Sequence, residues 1–188
     1  MIIIPQEELT LTDKKGFCNV ALEAGIKRAV AKAIGPRDEL ITRHAEVTLD
    51  FGCTVNFWFT QTLGVTTVPY TVFSTGAIAA AGVALVPQLA NNKVAVFYKV
   101  SILSVPNPFT ILRFGLGPTA VAPVTTKAHV DLEQIEGYLT AIGFLSEPVT
   151  YDPQEWVNIC VETKINTAAR EHLVLSCYIV EPVGGTIS

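Results

Sequence analysis

The stretch KVAVFYKVSILS, residues 93–104, decides how this chain folds. Read with a period of two, Val94, Val96, Tyr98, Val100 and Ile102 fall on one face of a strand. The opposite face should then be polar, but Ala95, Phe97 and Leu103 interrupt it. VNFWFTQTLG, residues 55–64, poses the same problem. Val55, Phe57 and Phe59 share one face, and Trp58 lies on the other with Asn56 and Thr60. Strands that are apolar on both sides need cover on both sides, because monomers seldom expose contiguous apolar patches beyond a few hundred Å². The sequence predicts an N-terminal helix as part of that cover and neighbouring subunits as the rest.

Outward from these strands the same period recurs. Glu46–Phe51 alternates apolar and polar, and further strands are expected over 53–63, 67–74, 108–115, 127–133, 156–166 and 171–181. Asn91-Asn92, Pro106-Asn107-Pro108 and Gly115-Leu116-Gly117-Pro118 are turn chemistry. Residues 134–145 fit either a short helix or a strand. Before the strands comes one helix. Thr12 or Asp13 can cap it, Phe17, Val20, Ala21, Ala24 and Ala31 keep one face, and Gly35-Pro36 stops it. Gly16 and Gly25 weaken it, so it relies on docking more than on propensity.

About eight strands after one helix, without βαβ alternation, predict a mainly β fold: an antiparallel β-sandwich or jelly-roll barrel preceded by an N-terminal helix. An immunoglobulin-type sandwich is the rival, though the chain is long for one such domain. The expected organisation is an N-terminal arm and helix over residues 1–43, then a β domain over 44–188. The first part differs in period and charge and is expected to serve assembly more than folding of the β domain.

Composition points the same way. Hydrophobic residues make up 49% of the 188 and charged residues only 16%, against roughly 25% charged in ordinary soluble domains. So little charge cannot coat a whole surface, and part of it is expected to be buried against something else. The net charge of −4 offers no general attraction to nucleic acid. The start, MIIIPQEEL, lacks the basic and long apolar regions of a signal peptide. The charge-free run 77–90 (AIAAAGVALVPQLA) is too short to span a bilayer and contains Pro87. Cys18, Cys53, Cys160 and Cys177 show no paired spacing and read as free thiols.

The sharpest chemical feature is an absence. No Asp or Glu occurs from Phe51 through Val130, where the strong charges are Lys93, Lys99, Arg113 and Lys127. Paired-carboxylate chemistry therefore cannot be built from the middle of the chain. His44, His129 and His172 have no i, i+2 or i, i+4 partner, so no local metal clamp is expected, although His129 and Asp131 can share a strand face. No G-x-S-x-G or phosphate loop is present, and FGLGPTA (114–120) reads as a turn. No catalytic, cofactor or metal residues are predicted. Basic residues cluster once: residues 13–43 hold Lys14, Lys15, Lys27, Arg28, Lys32, Arg37 and Arg43 against Asp13, Glu23, Asp38 and Glu39. The residues expected to meet a partner are Trp58, Phe97, Phe17, Lys27 and Arg28.

The succession EVTLDF, VNFWFTQTL, KVAVFYKVSIL, FTILRFG, WVNICVETKI and HLVLSCYIV, spanning 44–183, resembles small β-barrel virion proteins: phage head decoration (cement) proteins and single jelly-roll coats. The resemblance lies in pattern, and no family site residue is carried over with it. It implies a homo-oligomer, commonly a trimer, that binds a major capsid protein or neighbouring coat subunits and resides in the virion after synthesis in the host cytoplasm. It also implies an N-terminal arm that reaches a neighbouring subunit. A non-catalytic β-sandwich module for carbohydrate or protein is the second reading, and a cupin-like enzyme the third.

Overall fold

A computed structural model describes residues 1–51, 56–59, 69–71, 74–75, 88–103, 106–117, 125–163 and 171–184. The expected apolar segment 77–87 and Cys53 lie outside the described residues, as do the side chains of Trp58, Cys160 and His172. In chain order the strands are β1 (Ile3–Pro5), β2 (Leu40–Phe51), β3 (Asn56–Phe59), β4 (Pro69–Thr71), β5 (Ser74–Thr75), β6 (Val94–Ile102), β7 (Phe109–Leu116), β8 (Thr125–Asp131), β9 (Ile142–Tyr151), β10 (Asn158–Thr163) and β11 (Glu171–Pro182). The long helix α1 (Leu11–Ala31) lies between β1 and β2.

The strands form two sheets, one ordered β1-β9-β6-β11-β2-β3-β4 and the other β5-β10-β7-β8. With β1, β3 and β4 set aside, the chain alternates between them: β2, then β5, then β6, then β7 and β8, then β9, β10 and β11. Such alternation interlocks Greek keys and is consistent with the expected jelly roll. The short pairing of β5 with β10 is parallel, while every other strand pairing is antiparallel. Between the sheets lies one apolar cluster that includes Phe97, Leu112, Phe114, Val130, Tyr151 and Leu175.

Strand β6 resolves the problem of the two apolar faces. Val94, Val96 and Tyr98 belong to a second cluster, together with Ala21 and Ala29 of α1 and with Phe144 and Val180. Ala95, Phe97, Val100 and Ile102 belong to the cluster between the sheets. Strict alternation would keep Val100 and Ile102 with Tyr98. The register instead shifts between Phe97 and Lys99 against both neighbours, β9 and β11. Tyr98 is the inserted residue, and the bulge turns the second half of the strand over. The second face of β6 is thus covered by the chain's own helix.

Helix α1 starts at a capping box. The Thr10 hydroxyl accepts from the Asp13 amide, and the Asp13 carboxylate accepts from the Thr10 amide. The cap therefore sits two residues before the expected Thr12. The helix ends in a Schellman turn: the Ile34 amide donates to the Ala29 carbonyl, the Ala33 amide donates to the Val30 carbonyl, and Ala33 has a φ of 55°. The inward face is Ala21, Gly25 and Ala29, flanked by half-buried Phe17, Cys18 and Ile26. Val20, expected on that face, is 58% exposed.

The expected division at residue 43 falls inside β2. Residues 1–43 are not an appendage. β1 pairs with β9, and Ile3 is buried in the core between the sheets. A Cβ placed on Gly143 would lie 2.4 Å from Ile3 Cγ1, so the glycine forms the notch that receives the arm. The expected arm to a neighbouring subunit is docked within its own chain. Residues 134–145 are neither a single helix nor a single strand: a 3-10 turn at Leu132–Ile135 precedes β9. Pro148 fits within β9 because the register of β9 on β6 jumps between Phe144 and Val149, where no ladder amide is needed.

Gly25 sets how closely α1 approaches the sheet. A Cβ there would lie 2.8 Å from Val180 Cγ2 and 3.0 Å from Val96 Cγ2, both on stiff β-branched side chains. Gly25→Ala should therefore destabilise the protein by about 1–3 kcal/mol, despite the better helix propensity of alanine. Gly16→Ala, with nothing within 4 Å of the added carbon, should stabilise it by about 0.5–1 kcal/mol. Paired denaturant titrations of the two variants check this difference in sign.

Candidate functional site

The chemistry-bearing groups gather around α1. On its inner side the Phe17 ring meets Phe144 at 5.5 Å, and Tyr98 stacks on Tyr178 at 5.0 Å. His44 Nε2 lies 3.0 Å from the Tyr98 hydroxyl. Burial, reinforced by neighbouring Tyr178 and Cys18, holds the Tyr98 phenol far above its ordinary pKa, so it stays protonated as a hydrogen-bonding group.

At the C-terminal end of the helix, Asp152 takes a forked bond from Arg28, with Nε to Oδ1 and Nη2 to Oδ2 both at 2.5 Å. Lys32 Nζ adds a third contact at 2.9 Å. The Arg28 hydrogen bonds, working against desolvation and helped by Lys32, hold the Asp152 carboxyl at about 2. The position of these cations in the last turn also suits the helix dipole. Asp152 is tied in turn to the smaller sheet: its amide donates to Glu155 Oε2, which receives Lys127 Nζ of β8 at 2.7 Å. One ionic chain therefore crosses all three layers.

This pairing changes the reading of the basic N-terminal cluster. Of its seven cations, Arg28 and Lys32 bind Asp152, Arg37 binds Glu23, and Arg43 binds Glu181. Four of the seven are thus met by carboxylates of the same chain, which reduces the charge the cluster can present to an acidic partner. Arg28, expected at an association surface, is a docking residue. Phe17 is one too, being half-buried against the chain's own sheet. Phe97 is 1% exposed between the sheets, with its ring 5.5 Å from Phe114 and 5.7 Å from Tyr151. It belongs to the core, because in the first half of β6 Ala95 and Phe97 face the second sheet while Val94, Val96 and Tyr98 face the helix.

Lys27 is exposed on the outer side of α1. Trp58 stands in register opposite Thr48 of β2 and Pro69 of β4. The other four expected residues, Phe17, Lys27, Arg28 and Phe97, are not brought together. The exposed apolar positions Val20 and Val30, on the far side of the helix, went unread as a surface. Both fall off the face that the structure buries, Ala21, Gly25 and Ala29, whereas the sequence pattern draws that face through Val20. A shallow depression on this outer side is lined by Asn19, Val20, Glu23, Ala24 and Lys27.

The candidate reactive groups are held in structural roles. Burial pushes the Cys177 thiol far up, away from thiolate chemistry. Ser176 is fully buried between the β6 and β2 registers, and its hydroxyl has no hydrogen-bond partner among the described residues. The Asp131 carboxylate accepts from the Glu133 amide, capping the 3-10 turn in place of sharing a ligand with His129. Among the described residues no group of three His, Cys, Asp or Glu side chains could hold a metal ion. Nor is any helix among them long and apolar enough to cross a membrane. Comparison with protein-family models, curated proteins and solved structures finds no match to the chain.

The Asp152 clamp carries a pH dependence. A carboxyl held at about 2 contributes its full stability above its ordinary value of 3.8 and loses it as pH falls through about 2. Asp152→Asn should cost about 1–3 kcal/mol at neutral pH and flatten the stability profile between pH 4 and 2 relative to the parent. Urea titrations of both proteins across that window measure the difference.

Proposed function

We propose that this chain is a structural assembly protein of a virus particle, self-associating and binding a capsid lattice as a decoration or minor coat subunit. The observation that carries the reading is the outer side of α1. The helix has already buried one face on the sheet, yet Val20 and Val30 remain 58% and 44% exposed on the other. A surface helix that owes its cover to a single sheet would place polar residues there. Leu103 and Leu139 add further exposed apolar side chains. A strand order consistent with a jelly roll and the low charge content support the same reading. Burial of Cys177 and the use of Asp131 in a cap and of Asp152 in a clamp favour the assembly reading over the enzyme alternative.

Sedimentation velocity over a wide concentration range tests the proposal, followed by electron microscopy of the concentrated protein. The expected result is a discrete oligomer, a trimer foremost, that grows into larger ordered assemblies with concentration. A single monomeric species at every concentration would remove the reason for the assembly reading.

A further inference from the structure

The outward residues of α1 repeat in a specific way. Gly16, Val20, Glu23, Lys27 and Val30 follow one another at steps of four, three, four and three, the spacing of a helix-pairing seam. The last four are also symmetric along the helix. Val20 and Val30 stand five residues to either side of Gly25, and Glu23 and Lys27 stand two to either side. An antiparallel copy of the helix, related by a twofold axis at the level of residue 25, would therefore place Val20 against Val30 and Glu23 against Lys27. Each pair would then occur twice. Apolar meets apolar and anion meets cation with no charge left opposite its own sign, which is what a self-complementary twofold contact requires.

We propose that the outer face of α1 is the contact for a second copy of this chain, packed antiparallel about that twofold axis. The inference rests on the self-association reading above and adds a twofold contact, which joins copies in pairs and is separate from the contact that closes a trimer. Glu23 already takes both terminal nitrogens of Arg37, at 3.0 and 2.6 Å. A carboxylate has about four acceptor sites, so a lysine from the second copy can be added without breaking that fork. Val20 to Val30 spans about 15 Å of helix. A contact of three turns on each side falls short of the ~1,200 Å² typical of stable complexes. The pairing is therefore weak alone and acts where many copies are held together, as in a lattice.

Charge variants test the geometry. Lys27→Glu sets acid against acid, and Glu23→Lys sets base against base. Each alone should weaken self-association about tenfold or more, while an equimolar mixture of the two should recover it as a mixed species. Arg37→Gln, which leaves Glu23 in place, should associate like the parent. Circular dichroism confirms that each variant is folded. In a second arm, Val20→Cys and Val30→Cys are oxidised separately and together, and the linked residues are read by peptide mass mapping. The mixture should give the 20–30 link, and neither variant alone should link to itself. A 20–20 link, or parent-like association of both charge variants, would overturn the antiparallel contact while leaving self-association standing. A parent protein monomeric at all concentrations would overturn both.

Discussion

The approach of one helix to one sheet organises this protein. At Gly25 the helix backbone comes so near Val96 and Val180 that a methyl group has no room. That proximity lets α1 bury Ala21 and Ala29 and lay Phe17 on Phe144. It also brings Arg28 and Lys32 within reach of Asp152. Without it, Val94, Val96, Tyr98, Phe144 and Val180 would lose their cover. The glycine weakens the helix as an isolated element, and the docked interface offsets that weakness.

The bulge at Tyr98 is the counterpart within the sheet. It allows a single strand to contribute Val96 to the helix layer and, a few residues on, Val100 and Ile102 to the core between the sheets. Three layers can therefore share one central strand with few polar groups buried in it. The ionic chain from Arg28 through Asp152 and Glu155 to Lys127 then links the outer helix to the far sheet at one end. Because Lys127 Nζ also lies over the Tyr151 ring, 5.1 Å from its centroid, that end of the core is closed by both charge and packing.

Much of the fold was legible in the sequence. The period of two located β6, β7, β10 and β11 to within a few residues, and the helix was recognisable from its stop signal and apolar spacing. The cap was misplaced by two residues at Thr12, although Thr10 and Asp13 stand at capping-box spacing. The bulge was not legible, because nothing local distinguishes Lys99 from its neighbours and the shift depends on β9 and β11. β9 stayed ambiguous because Gly143 and Pro148 interrupt its pattern, and each is explained only by a distant partner. The candidate site was less legible than the fold. Arg28 finds Asp152 124 residues away, so a cluster that looked available to a partner is largely used internally. Val20 and Val30 became a surface only when the docked face had been fixed.

Helix α1 is part of the folded unit, and its outer face is not covered by the chain's own sheet. Native-state amide hydrogen exchange tests this most directly, because it reports the free energy at which each segment opens. The amides of Ala21–Ala29 should exchange only through global unfolding, at the same free energy as those of Val94–Val100 in β6. Exchange of the helix amides at a distinctly lower free energy, with β6 still protected, would show that α1 opens independently and contradict the account.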